Sequence, residues 1–145
     1  YHYGAKHHDE LRGLLRRSMG IVLAAAVLLT VSSELLSSTL AKIFVSYDAG
    51  LYAMTLHGFR LYSLSYLLCG FNIFGSAFFT ALNDGLVSAM ISFARTLVFQ
   101  IVCVLVLPIF FALNGVWCSI LLAELLGLIV TASLLIANRK KYQYF

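Results

Sequence analysis

Residues 86–107 form an apolar run whose one charged side chain is Arg95. A helix over that run, rising about 1.5 Å per residue, spans a hydrocarbon layer of about 30 Å. The guanidinium keeps its charge at any accessible pH. A fixed cation near the middle of a membrane helix is costly unless something answers it. The chain must therefore supply both a lipid-facing helix and a partner for Arg95.

The rest of the sequence has the same character. It is 145 residues long, 61% hydrophobic and 11% charged, with one proline. Soluble domains carry about 25% charged residues. The expected fold class is all-α, a polytopic transmembrane helix bundle. The net charge of +4 is no nucleic-acid footprint, because the basic residues gather at the two ends, as they do in membrane proteins. The expected partner is the lipid bilayer. The opening "YHYGAKHHDE" lacks an initiator methionine and reads as the middle of a longer protein. Cys69, Cys103 and Cys118 sit in apolar runs without CxxC spacing, which points to inert packing and to no metal site.

Four spans are expected, over about 17–40, 49–82, 86–107 and 116–137, within a membrane region 17–138. Residues 1–16 form a cytoplasmic linker and 139–145 a cytoplasmic tail. The basic flank and short apolar stretch 19–31 resemble a signal peptide, but three more spans follow. Asp48 is placed to cap the second span. That span would reach about 51 Å as one helix, so a bend is expected at Gly58, Gly70 or Gly75. Asn83, Asp84 and Gly85 make a turn. Pro108 is expected to stop the third span. Tyr142, Tyr144 and Phe145 suit an interfacial aromatic belt.

An even number of spans puts both termini on one side. Lys6, Arg12, Arg16, Arg17, Arg139, Lys140 and Lys141 lie at that side, which the positive-inside rule makes cytoplasmic. The expected location is the plasma or inner membrane.

Direction gives depth. Arg95 enters from the cytoplasmic face and Glu124 from the outer one, each about 14 Å deep. The short connection between their spans favours antiparallel packing. Arg95 and Glu124 are thus an expected structural intramembrane pair. Asn72 reaches the same plane at about 15 Å, Ser76 shares its face, and Gln100 lies further out on a stripe with Thr96 and Cys103. Asn72, Arg95, Glu124 and Gln100 are expected to cluster. Nearer the outside, Glu34 and Arg60 reach similar depths as an interface pair. Tyr62 and Tyr66 share a face, with Phe59 one turn earlier. Asn72, Ser76, Tyr62, Tyr66 and Gln100 are the candidates for a substrate cavity. Interior packing or polar glue is the plainer role for each of them. His2, His7, His8 and His57 read as solvated or interfacial.

Three segments carry a family resemblance. "YHYGAKHHDELRGLLRRS" resembles the linker segment of multidrug and toxic compound extrusion (MATE) transporters that precedes the third helix of a six-helix lobe. "AFFTALNDG" is similar to the motif ending that lobe's fourth helix, and "LNGVWCSILLAELLGL" to the segment opening its last helix. They stand in the family's order across the whole chain. The resemblance implies part of a MATE-like C-terminal lobe, helices nine to twelve of twelve. It implies export of cationic or amphipathic small organic compounds by alternating access, coupled to Na+ or H+. The partners implied are the missing N-terminal helices and the substrates, with no cofactor. Asn72 stands where some branches place an ion-linked acid, and an amide carries no proton.

Other readings are a flippase for lipid-linked sugar or polysaccharide within the same superfamily, and a small non-transporting four-helix assembly protein. An intramembrane enzyme is disfavoured. There is no HExxH, no paired intramembrane Asp and no Ser–His arrangement.

Overall fold

In the computed structural model residues 3–5 and 7–144 are described. Tyr1, His2, Lys6 and Phe145 lie outside the described residues, and with them Lys6 of the basic flank and Phe145 of the aromatic tail. Helix α1 spans His8–Val45. Leucine is its commonest residue, and the charges in its end turns suit the helix dipole, with Asp9 and Glu10 in the first turn and Lys42 in the last. The Asp48 carboxylate then accepts from the Leu51 N–H at 2.9 Å and starts α2, Ala49–Ser63.

Helix α2 and helix α3, Tyr66–Ala81, meet at a bend of 40°. The bend is not at the glycines. Ser63 and Ser65 turn their hydroxyls back onto the carbonyls of Arg60 and Tyr62, at 2.8 and 2.7 Å. Such local bonds compete with the helix ladder and bend it. The glycines instead admit neighbours. A Cβ on Gly58 would lie 2.4 Å from the Trp117 ring, and one on Gly75 would lie 2.3 Å from the Thr131 methyl.

Asn83 takes φ 61°, a conformation asparagine tolerates better than most residues. Asp84 then caps α4, Gly85–Phe93, by accepting from the Val87 N–H at 3.3 Å. A π-helical turn, Ala94–Phe99, leads into α5, Gln100–Tyr142. Together α4, the π-turn and α5 run 58 residues, about 87 Å if straight. They are not straight. Ala112 has φ 47° and ψ −129°, and residues on its two sides meet in reversed order. Ser119 donates to the Cys103 carbonyl at 3.0 Å, Arg95 meets Glu124, and Asp84 meets Lys141. The outgoing arm, 100–111, and the return arm, 113–142, are an antiparallel hairpin. Pro108 lies inside the helix and does not end it. A proline removes one donor and kinks the ladder, whereas reversal requires the positive φ found at Ala112.

Among the described residues two helical stretches are long and apolar enough to cross a membrane, Asp9–Val45 and Gly85–Tyr142. The bent pair of α2 and α3 makes a third if taken as one span. The chain is a multi-pass helical membrane protein. Its buried apolar core sits at the basic end, where Leu11, Leu15, Phe78, Phe79, Leu82, Val87 and Ile91 surround Tyr142 and Tyr144. Both tyrosines point inward, 3% and 1% exposed, and are not part of an interfacial belt. The left-handed Gln143 that closes α5 folds the tail back. The Tyr144 hydroxyl then reaches the Leu135 carbonyl at 2.7 Å.

The Gly75 contact gives a stability test. Gly75→Ala overpacks against the Thr131 methyl and should cost about 1–3 kcal/mol, read as a lower melting midpoint. Adding Thr131→Ser removes that methyl but keeps the hydroxyl, and should recover most of the loss.

Candidate functional site

Three helical segments bring polar side chains to one place in the bundle. The π-turn carries Arg95, the return arm carries Glu124 and Thr131, and α3 carries Asn72. Arg95 Nη1 donates to Glu124 Oε1 at 2.9 Å. Their side chains are 21% and 13% exposed. The other carboxylate oxygen accepts from Asn72 Nδ2 at 2.7 Å, and the same amide nitrogen donates to the Glu124 main-chain carbonyl at 2.9 Å. Asn72 Oδ1 accepts from the Thr131 hydroxyl at 3.0 Å. Asn72 is wholly buried, and its amide is committed at both ends. Chemically this is a charge pair extended by neutral hydrogen bonds, with each oxygen of Glu124 occupied.

The local sequence makes room for the pair. Gly127 lies one turn beyond Glu124. A Cβ there would sit 3.1 Å from both Arg95 Cγ and Asn72 Nδ2. The π-turn sets the facing of Arg95. The inward stripe of this strut runs Ile91, Arg95, Phe99, Cys103 in four-residue steps. Each such step overshoots an α-helical turn, and the wider π-turn takes back part of the drift. Turns of this type recur at functional sites.

Gln100 is not in this cluster. It lies one position past the inward stripe, is exposed, and lines a shallow groove with Thr96, Ile101, Val104 and Leu105. Ser76 serves a second polar seam, between α3 and α4. Its hydroxyl lies 2.9 Å from that of Ser88 and 2.7 Å from that of Ser92, and Thr80 reaches Ser88 at 2.7 Å. Sequence reasoning did not single out Thr131, Ser88, Ser92 or Thr80. The spacing of Asn72, Ser76 and Thr80, one turn apart on one face, was the available signal.

At the other end of the bundle, Arg60 Nε lies 3.8 Å from Glu34 Oε2, and the other Glu34 oxygen shares the single Ser63 hydroxyl proton with the Arg60 carbonyl. Ser63 thus ties α1 to the bend. Tyr62 and Tyr66 stand edge to face, ring centres 5.8 Å apart, and Tyr62 is 40% exposed. His57 Nε2 lies 3.1 Å from Asn114 Oδ1, a tie between α2 and the return arm. Among the described residues no group of three or more His, Cys, Asp or Glu is placed to hold a metal ion.

At the basic end Asp84 joins the start of α4 to the end of α5. Lys141 Nζ donates to it at 3.0 Å, and the Tyr142 hydroxyl donates to the same oxygen. The Tyr142 hydroxyl, then Lys141 and the Val87 N–H, hold the Asp84 carboxyl below its ordinary value of 3.8.

A sequence model of the MatE family matches residues 1–106. No curated protein matches. Among solved structures, the Vibrio cholerae MATE transporter VcmN, in its bent form, superimposes with a TM-score of 0.80 at 19% identity. The superposition covers 99% of this chain and 33% of that one. At that identity the likeness is one of fold. This chain spans about a third of the length of that transporter.

Two measurements test the site. Arg95→Leu or Glu124→Leu alone leaves the partner charge uncompensated, and each should cost about 3–5 kcal/mol. The double replacement should cost less than either single one, and additive losses would mean the pair does not couple. Acid tests the Asp84 tie. A depressed folded pKa gives stability that is complete above the unfolded carboxylate value of about 3.9 and is lost as pH falls through the lower folded value. Melting curves of wild type and Asp84→Asn should differ at neutral pH and converge below the carboxylate range.

Proposed function

The chain belongs to the MatE family, and from that premise we propose that it forms helices nine to twelve of a twelve-helix secondary transporter. The transporter exports cationic or amphipathic compounds in exchange for Na+ or H+ by alternating access. The observation that carries this reading is coverage: one MATE transporter architecture accommodates 99% of the chain. In this reading there are four crossings. They are α1, the bent α2–α3 pair, the strut of α4 with the π-turn and outgoing arm, and the return arm. Both termini are cytoplasmic, because Arg12, Arg16, Arg17, Arg139, Lys140 and Lys141 gather at one end. The membrane is the plasma or inner membrane.

Arg95, Glu124 and Asn72 hold one lobe together. The Glu124 carboxylate and the Asn72 amide are committed within the cluster, and Arg95 is held to it through Nη1, so the three suit a structural role better than contact with a substrate. Tyr62 and Tyr66 suit substrate contact better, since an outward aromatic pair offers π-faces to a cation. Gln100, in its open groove, is the other candidate. Ser76 belongs to the seam with α4. Glu34 and Glu124 are both already partnered, so coupling falls to acidic groups in the remainder of the transporter.

Full-length protein in vesicles, loaded with a cationic dye, tests the reading. Efflux should stop when both the sodium and the proton gradients are collapsed, and efflux that survives would rule out antiport. The 145-residue chain alone should give no efflux, because the cavity forms between two repeats. Tyr62→Ala with Tyr66→Ala should raise the KM for the dye about threefold or more, at unchanged expression.

A further inference from the structure

The first turns of α1 and the end of the return arm enclose a slot of about 440 Å³ at the basic end of the bundle. Its lining is Arg12, Leu15, Arg16, Met19, Leu135 and Tyr144. That volume falls in the range of small-molecule pockets, about 300–1,000 Å³. The lining divides by chemistry. Leu15, Met19 and Leu135 are aliphatic. Tyr144 contributes its ring, because its hydroxyl is taken by the Leu135 carbonyl. Arg12 and Arg16 lie one turn apart on the same face of α1, as do Leu15 and Met19. The slot therefore has an apolar interior, bordered on the α1 side by the stems of Arg12 and Arg16, whose exposed side chains carry their charge at that rim.

The rim charges are weakly answered. Arg12 lies 3.7 Å from an Asp9 carboxylate that is fully exposed. Among the described residues Arg16 forms no ion pair. Basic pockets between membrane helices near the headgroup level are recognised lipid sites. An arginine fork also matches phosphate geometry. A protein segment filling the slot would have to bring its own carboxylates to this rim, whereas the bilayer supplies phosphates there already. We propose that this slot is a binding site for an anionic glycerophospholipid, with an acyl segment against Leu15, Met19, Leu135 and the Tyr144 ring and the phosphate on Arg12 and Arg16. Arg17, adjacent in sequence, does not line the slot and carries the same charge, which makes it the internal control.

The test uses the full-length transporter and native mass spectrometry, with equal amounts of phosphatidylglycerol and phosphatidylcholine supplied. Wild type should retain the anionic lipid on the order of tenfold over the neutral one. Arg12→Gln with Arg16→Gln should bring the ratio near parity, while Arg17→Gln should leave it largely intact. Leu135→Trp fills the slot without touching the charge, and should lower retention of phosphatidylglycerol. Inorganic phosphate should not displace the lipid. Equal losses from the Arg17 variant and the double variant would mean diffuse surface charge and overturn the site. So would displacement by phosphate, or a Leu135→Trp protein that holds lipid as wild type does. Circular dichroism of each variant separates lost binding from lost fold. The readout is lipid retention, so it stands or fails apart from the transport reading.

Discussion

A guanidinium in the apolar middle of a helical hairpin dictates much of what surrounds it. Arg95 cannot shed its charge, and leaving it unpaired would cost several kcal/mol. Glu124 answers it from the antiparallel arm at 2.9 Å. That pairing requires the arm to approach closely, and Gly127 permits it. The carboxylate has a second oxygen to satisfy, and Asn72 supplies the donor from α3. Asn72 in turn has an acceptor to fill, and Thr131 fills it. Thr131 brings a methyl group with its hydroxyl, and Gly75 leaves space for that methyl. The sequence of demands starts from one charge and ends by fixing three helical segments against one another.

The parts of this that follow from counting were legible in the sequence. Depth in a membrane helix is set by rise per residue, so Arg95, Glu124 and Asn72 fall in one plane without knowledge of the fold. Rotation about the helix axis is a different quantity, and there the sequence misled. Gln100 belongs to the same run as Arg95 but lies beside the inward stripe. The π-turn between them has no signature in residue types. In the long second hydrophobic segment the residue types point to glycine, the usual weak point, for the bend. The structure places it at Ser63 and Ser65, whose hydroxyls capture main-chain carbonyls. Pro108 looked like a stop because proline cannot donate, yet a missing donor only kinks a helix. The reversal is four residues later, at an alanine whose side chain gives no hint of a positive φ. Tyr142 and Tyr144 carry the composition of an interfacial belt, and only the left-handed turn at Gln143 shows that they face inward.

Polar groups in this bundle are mostly saturated by one another. The seam of Ser76, Ser88, Ser92 and Thr80 leaves hydroxyls bonded to hydroxyls, and the Arg95 chain leaves carboxylate and amide bonded to each other. Such contacts are modest individually, roughly 0.6 kcal/mol each in membranes. Their effect is on register, because a helix displaced along its axis would strand several donors at once in a medium with no water to receive them. Saturation also decides which groups are open to anything else. A side chain whose hydrogen-bonding capacity is spent inside the bundle can be given to a ligand only by breaking the bundle. The groups still turned outward, Tyr62 and Gln100 among them, carry no such cost.

Glycine and bulk are matched in the same way as donor and acceptor. Gly58 takes the Trp117 ring, Gly75 takes Thr131, and Gly127 takes the stem of Arg95. In the first two pairs the glycine is on the α2–α3 pair and the large group on the return arm, and in the third the roles are exchanged between the arms of the hairpin. Lipid is as apolar as leucine, so helices in a membrane gain little from hydrophobic contact alone and rely on close fit. Three such fits, spread from the Trp117 end to the Thr131 end, fix the return arm in rotation as well as in depth. That rotational constraint is what aims Glu124 at Arg95, so the packing of small against large residues and the neutralisation of the buried charge are one condition met at different points along the same helix.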